Sequence, residues 1–99
     1  MFDQVEANYD QLDQISSQFS NQADAVQQML QLVRASMSQL ENGGWIGEAA
    51  NAFFAEMNQV ILPATWRLQN ALEEGSQATK DISQTFQQAE DEASSPFKS

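Results

Sequence analysis

The 99-residue sequence contains no cysteine and no histidine. Disulfide bonds and thiolate or imidazole nucleophiles are therefore excluded, and the usual zinc ligands are missing. We expect no catalytic residue, no metal site and no cofactor, and a fold that depends on packing alone. A single hydrophobic core is marginal at this length, and a partner chain commonly completes it.

Basic residues are also scarce, since four Lys and Arg stand against fourteen Asp and Glu, for a net charge of −10. Such a charge repels phosphate backbones and anionic lipid headgroups. We therefore expect no nucleic-acid partner and no stable membrane association at neutral pH. The N-terminal residues show neither the basic region nor the apolar stretch of a cleaved signal peptide, and no apolar run is long enough to span a bilayer.

Glycine and proline are absent from position 3 to position 42. Over the same interval apolar residues recur at alternating spacings of three and four, which is the heptad pattern of a packed helix. Only Ser16 interrupts this pattern, which predicts one helix over about 3–41. The apolar positions are Val5, Tyr9, Leu12, Phe19, Ala23, Val26, Leu30, Val33, Met37 and Leu40.

A second helix is predicted over about 47–93. Its apolar pattern slips in phase around Pro63, but we expect a kink there rather than an end, because apolar residues resume at Trp66. Residues 94–99 are expected to form a flexible C-terminal tail. The apolar side of this helix comprises Ala50, Phe53, Phe54, Met57, Ile61, Leu68, Leu72, Ile82, Phe86 and Ala89.

The segment 42–47 between these helices contains two consecutive glycines and the sequence Trp45-Ile46-Gly47. Gly43 and Gly44 tolerate the left-handed conformation that ends many helices. One role for these residues is purely structural. Glycine at position 47 would avoid a clash of a Cβ atom where the helices part, and the Trp45 indole would cover the end of the core. Recognition by another protein is a second role for the same residues.

Two helices joined by a short turn predict an all-α fold, an antiparallel helix-turn-helix hairpin. A lone hairpin would leave large apolar side chains in water, so we expect it to dimerise into a four-helix bundle. A homodimer is the simpler assembly, and a heterodimer with a related protein or with a toxin domain stays open. The expected core or dimer seam contains Phe19, Val26, Leu30, Val33, Met37, Phe54, Met57, Ile61 and Leu68.

The W-x-G turn at mid-chain, followed by Ala49, Ala50 and Phe53, resembles the WXG family of small type VII secretion substrates, also called early secreted antigenic target-like proteins. This resemblance extends over essentially the whole chain. It implies a non-enzymatic protein that is cytoplasmic before export and leaves the cell as a folded dimer without a cleaved signal peptide. It further implies recognition by a secretion-system membrane ATPase of the FtsK/SpoIIIE type.

Members of that family carry a C-terminal secretion signal in which a tyrosine precedes an acidic residue by four positions. Phe86 and Glu90 match this spacing with phenylalanine in place of tyrosine, and Ala93 and Phe97 meet the apolar positions of a longer version. The resemblance therefore implies a secretion signal at these four residues. From spacing alone, Phe86 would be ordinary heptad core and Glu90 a solvated acid.

Two other functions stay open at this stage. One is a cytosolic acidic coiled-coil scaffold or adaptor that is not exported. The other is membrane disruption after export, which the negative charge disfavours at neutral pH. An antiparallel dimer would place the turn of one chain beside the C-terminal segment of the other. If the protein is exported, these two segments are therefore expected to form a bipartite recognition surface that exists only in the dimer.

Overall fold

The structure is a computed structural model that describes the backbone of residues 2–94 and the side chains of residues 8–93. The first helix, α1, is Phe2–Asn42. No residue between its ends breaks the backbone hydrogen bonding, in keeping with the absence of glycine and proline from this interval. Residues 43–47 form the turn.

The second helical segment consists of three parts that follow one another without a gap. α2 is Glu48–Glu56, a π-helical turn is Met57–Ile61, and α3 is Leu62–Ser94. The chain therefore stays helical through Pro63, as expected, but the π-helical turn ahead of this proline was not predicted. No strand occurs within residues 2–94.

The chain forms two compact units. One, which we call the turn unit, comprises residues 22–71 and contains the turn. The other, the terminal unit, contains the described residues up to 21 and from 72 onward. α1 and α3 each contribute residues to both units.

The turn unit has an apolar core. Leu30 and Met37 of α1 and Leu62 of α3 are buried together. Buried and half-buried apolar side chains at heptad spacing hold the two helices against each other. The side chains packed against this cluster are Val26, Val33, Phe53, Phe54 and Met57.

The terminal unit has a small and polar interior. Its buried side chains are Ser16, Ser76 and Ser83. The Ser16 hydroxyl donates to the Ser76 carbonyl oxygen at 2.9 Å, and the two hydroxyl oxygens lie 3.1 Å apart. Ser16, which interrupts the apolar pattern in the sequence, is thus a buried member of the helix-helix interface.

The predicted fold class, an all-α helix-turn-helix hairpin, is confirmed. Assembly into a four-helix bundle concerns a partner chain and stays a prediction. The predicted C-terminal tail begins at residue 94, and residues 95–99 lie outside the described part of the chain.

Candidate recognition sites

The turn begins with a defined helix C-cap at Gly44. Gly44 has φ +82°, in the left-handed region. Its N–H donates to the Glu41 carbonyl at 3.1 Å, and the Trp45 N–H donates to the Leu40 carbonyl at 3.2 Å. These two bonds form a Schellman motif, which satisfies carbonyls at the end of α1 and fixes the direction in which Trp45 leaves the helix.

Gly47 is the N-cap of α2, and its backbone explains why glycine stands there. It has φ +114° and ψ −177°, a region that essentially only glycine occupies. Its carbonyl accepts from the Asn51 N–H at 2.9 Å, which starts α2. Apart from Gly47 and its two chain neighbours, no described residue has an atom within 4 Å of where a Cβ would stand, so the expectation of a Cβ clash where the helices part was wrong. The backbone conformation, not the space, requires glycine.

The Trp45 indole packs on two phenylalanines of α2. Its ring centroid lies 5.5 Å from that of Phe53 and 5.6 Å from that of Phe54, and these two rings are 5.3 Å apart. Tilted and edge-to-face contacts of this kind stabilise a cluster beyond its buried area. Trp45 still leaves 39% of its surface exposed, and its neighbour Ile46 leaves 85%. The turn therefore combines a structural anchor with an apolar surface open to solvent.

The second candidate site lies near the end of α3. Phe86 is 59% exposed, so it is not core in the protomer. Glu90 and Ala93 are exposed as well. Phe97, the last residue of the implied signal, lies outside the described residues. The described members of the signal are thus all accessible to another protein.

Glu90 has a neighbour that the sequence did not indicate. The Tyr9 hydroxyl of α1 donates a hydrogen bond to the Glu90 carboxylate. Desolvation, this hydrogen bond and the negative charges of Glu90 and Asp91 together raise the pKa of Tyr9 above its ordinary value. The only signal in the sequence was that Tyr9 occupies a seam position, and antiparallel pairing would bring that position toward the end of the second helix.

The predicted seam residues divide into two groups in the protomer. Ile61 and Leu68 are 41% and 49% exposed, so they are not part of its core. Leu62, which was not predicted, is buried in their place. Membership of Ile61 and Leu68 in a dimer seam stays a prediction. The seam residues that are buried or half-buried are Phe19, Val26, Leu30, Val33, Met37, Phe54 and Met57.

The described residues contain open grooves on the protomer surface. Among these described residues, no group of three or more His, Cys, Asp or Glu is placed to hold a metal ion. An open groove in the turn unit is lined by Arg34, Asn58, Leu62, Pro63 and Trp66, a set without an acid-base pair. None of the described helices is long and apolar enough to cross a membrane.

Two helices joined by a turn with the sequence W-x-G define a class of small helical proteins, and comparison with known families agrees. The family model WXG100, described as proteins of 100 residues with WXG, matches residues 4–91. The chain belongs to the WXG100 family. Members are small non-enzymatic proteins of type VII secretion and commonly dimerise. No curated protein and no solved structure matches the chain.

Proposed function

We propose that the protein is a non-enzymatic substrate of a type VII secretion system, exported as a folded homodimer. Membership of the WXG100 family over residues 4–91 is the observation that carries this proposal. The protein is made in the cytoplasm and is recognised by a membrane ATPase of the FtsK/SpoIIIE type. Recognition uses the W-x-G turn and the segment that contains Phe86, Glu90, Ala93 and Phe97.

The surface area of the protomer supports dimerisation. It exposes 7677 Å², whereas a compact monomer of 11.0 kDa exposes about 5,600 Å². The difference exceeds the roughly 800 Å² that each partner buries in a standard interface. Large hydrophobic side chains are exposed on both long helices. A second hairpin would cover them.

Exposure of the turn and of the C-terminal site supports their use in recognition. Ile46 is almost fully exposed beside the partly buried Trp45, a combination of anchored aromatic and free apolar surface that protein partners commonly bind. Phe86 and Glu90 lie four residues apart on one face of α3. An aromatic side chain beside a carboxylate on an exposed helix face suits insertion into a groove of another protein.

Export of Glu90→Gln tests the C-terminal part of this proposal. Glu90 is exposed, so the free energy of unfolding should change by less than about 0.5 kcal/mol. In a strain that carries the matching secretion system, the variant should accumulate in cells as a normal dimer and be depleted from the medium. Glu92→Gln removes the same charge two residues away and should be exported normally. Equal export of both variants would remove Glu90 from the signal.

Phe86→Ala is a second test of the same C-terminal site. Because Phe86 is exposed, this change tests recognition more directly than its heptad position suggested. Export should fall while the melting curve stays close to that of the parent protein. Loss of folded dimer in parallel with export would instead assign Phe86 to the interface between two copies.

Trp45→Ala separates architecture from recognition at the turn. More than a third of the indole is exposed, so the loss of stability should stay below the roughly 3 kcal/mol typical of a buried tryptophan. Export per folded dimer should fall as well. Trp66→Ala removes the other, exposed tryptophan and serves as the control. If export of Trp45→Ala follows only the amount of folded dimer, the indole is turn architecture alone.

If the protein without substitutions stays in the cytoplasm of a strain that carries the matching secretion system, the scaffold function is favoured. Release of dye from anionic vesicles at neutral pH would favour membrane disruption. The proposal predicts export of the parent protein and no dye release.

A further inference from the structure

The π-helical turn Met57–Ile61 inserts one residue into the second helical segment. The Leu62 N–H donates to the Met57 carbonyl, five residues back instead of the usual four. Each extra residue rotates all following side chains by about 100° around the helix axis. The turn therefore decides which side of α3 meets α1.

Spacing shows the effect within the turn unit. Ala50, Phe54 and Met57 face the interior ahead of the turn. An unbroken α-helix would continue this seam with one set of residues, which we call the outer stripe: Ile61, Ala64, Leu68 and Ala71. The structure instead buries or half-buries a set displaced by one position, which we call the inner stripe: Leu62, Thr65, Gln69 and, where the terminal unit begins, Leu72.

The stripe left outside is the more apolar of the two. The outer stripe has only apolar side chains, whereas the inner stripe includes a threonine and a glutamine. Burial of apolar surface stabilises a helix pair roughly in proportion to area. The observed rotation therefore leaves apolar surface exposed in the protomer, and burial of the outer stripe against another surface would recover this contribution.

Pro63 accounts for the position of the turn. Proline has no N–H, and its ring crowds the carbonyl four residues earlier, here that of Gln59. A wider turn directly ahead of the proline relieves this crowding. Pro63 therefore favours the π-helical turn over the regular α-helix that would bury the outer stripe.

An apolar residue of α1 extends the outer stripe. Met29 directly precedes the buried Leu30, as Ile61 directly precedes the buried Leu62, and both are exposed. In an antiparallel helix pair, residues that precede inward positions lie on the same side of the pair. Met29 therefore shares one side of the turn unit with the outer stripe.

We propose that the π-helical turn, held by Pro63, fixes the rotation of α3 so that the outer stripe and Met29 bind a second copy of the chain. This inference rests on the proposed homodimer. A second copy is the occupant because the excess surface of the protomer is more than enough for a standard dimer interface, and because each copy brings the same apolar side to the interface. The π-helical turn thus places the inner stripe in the protomer core and the outer stripe in the dimer interface.

Two variants of the full chain test the role of the turn by sedimentation equilibrium. Pro63→Ala should let a regular α-helix form, draw the outer stripe against α1 and weaken self-association more than tenfold. Deleting Gln59 in the Pro63→Ala background should restore it, because a regular helix with one residue fewer carries the inner stripe inward again. Replacing proline with alanine favours helix formation. Weaker self-association of Pro63→Ala could therefore not be explained by a general loss of helix.

Each outcome decides a different claim. A parent protein that is monomeric would overturn the proposed dimer itself. A dimeric parent whose association is unchanged by Pro63→Ala would overturn only the role of the turn, and so would failure of the Gln59 deletion to restore association. If the parent binds a different protein in place of its own copy, the second copy is the wrong occupant.

Discussion

Gly47 shows most clearly how a single residue shapes the turn. The W-x-G pattern points to this glycine in the sequence, but its reason is visible only in the backbone, which combines φ +114° with ψ −177°. The sequence marks the position, but the predicted crowding is absent, because the space around a Cβ at Gly47 is open. Positive φ values cannot be predicted from residue type alone, because glycine is compatible with every conformation.

Replacing Gly47 with alanine should destabilise the protein by about 1–3 kcal/mol, since the backbone must hold a conformation that a Cβ atom disfavours. Urea denaturation followed by circular dichroism measures this loss. Gly44→Asn is the matched control, because asparagine tolerates the left-handed conformation of Gly44, and its effect should be clearly smaller. Equal losses at both positions would contradict the backbone account.

Tyr9 is the second residue whose environment can be tested directly. It is the only tyrosine in the chain, so absorbance at alkaline pH reports its ionisation alone. Desolvation and the Glu90 carboxylate raise its pKa. We predict that Glu90→Gln lowers the pKa of Tyr9 toward its ordinary value of 10.0. An unchanged titration would show that the two side chains do not interact in solution.

The sign of the pH dependence follows from this pKa. Because the folded-state pKa is raised, the contribution of Tyr9 to stability is fully present below its unfolded-state pKa and is lost as pH rises through the folded-state value. Alkaline destabilisation of the parent protein should therefore be weaker in Tyr9→Phe, which cannot ionise. Thermal melting above about pH 10 measures the difference.

At the scale of helices, α1 could be predicted and the rotation of α3 could not. The heptad spacing of α1 keeps one register throughout, with Ser16 as its only polar member, so counting residues gives the buried positions, including Leu30 and Met37. After the π-helical turn the same count is wrong by one residue, and it assigns Ile61 to the position that Leu62 occupies. A phase slip near Pro63 was visible in the sequence, but periodicity alone does not show where the extra residue is inserted.

The serine pair in the terminal unit also belongs to this scale. Ser16 of α1 bonds to the Ser76 carbonyl and hydroxyl of α3, which ties two helices in a unit whose buried residues are polar. Ser16→Ala should cost about 1 kcal/mol, because it removes these bonds and leaves a buried hydroxyl without this partner. Ser17→Ala, at an exposed neighbouring position, is the control. Equal stability of the two variants in urea denaturation would contradict a structural role for the pair.

The whole molecule combines a large exposed apolar surface with a strong negative charge. Family membership and the fold class followed from the W-x-G turn and the heptads, because both features are local. The partner could not be predicted in the same way, since association depends on how two surfaces meet. Ten net negative charges on each copy oppose self-association, and salt screens this repulsion over about 10 Å at 0.1 M. A homodimer should therefore associate at least as tightly at physiological salt as at low salt.

Sedimentation equilibrium of the purified full chain tests whether the protein forms the proposed homodimer. We predict a folded species of twice 11.0 kDa at micromolar concentration, with a dimer fraction that does not fall when salt is raised from about 0.01 M to about 0.15 M. A cooperatively folded species of 11.0 kDa across the same concentrations and salts would contradict the homodimer and, with it, export of the protein as a folded homodimer.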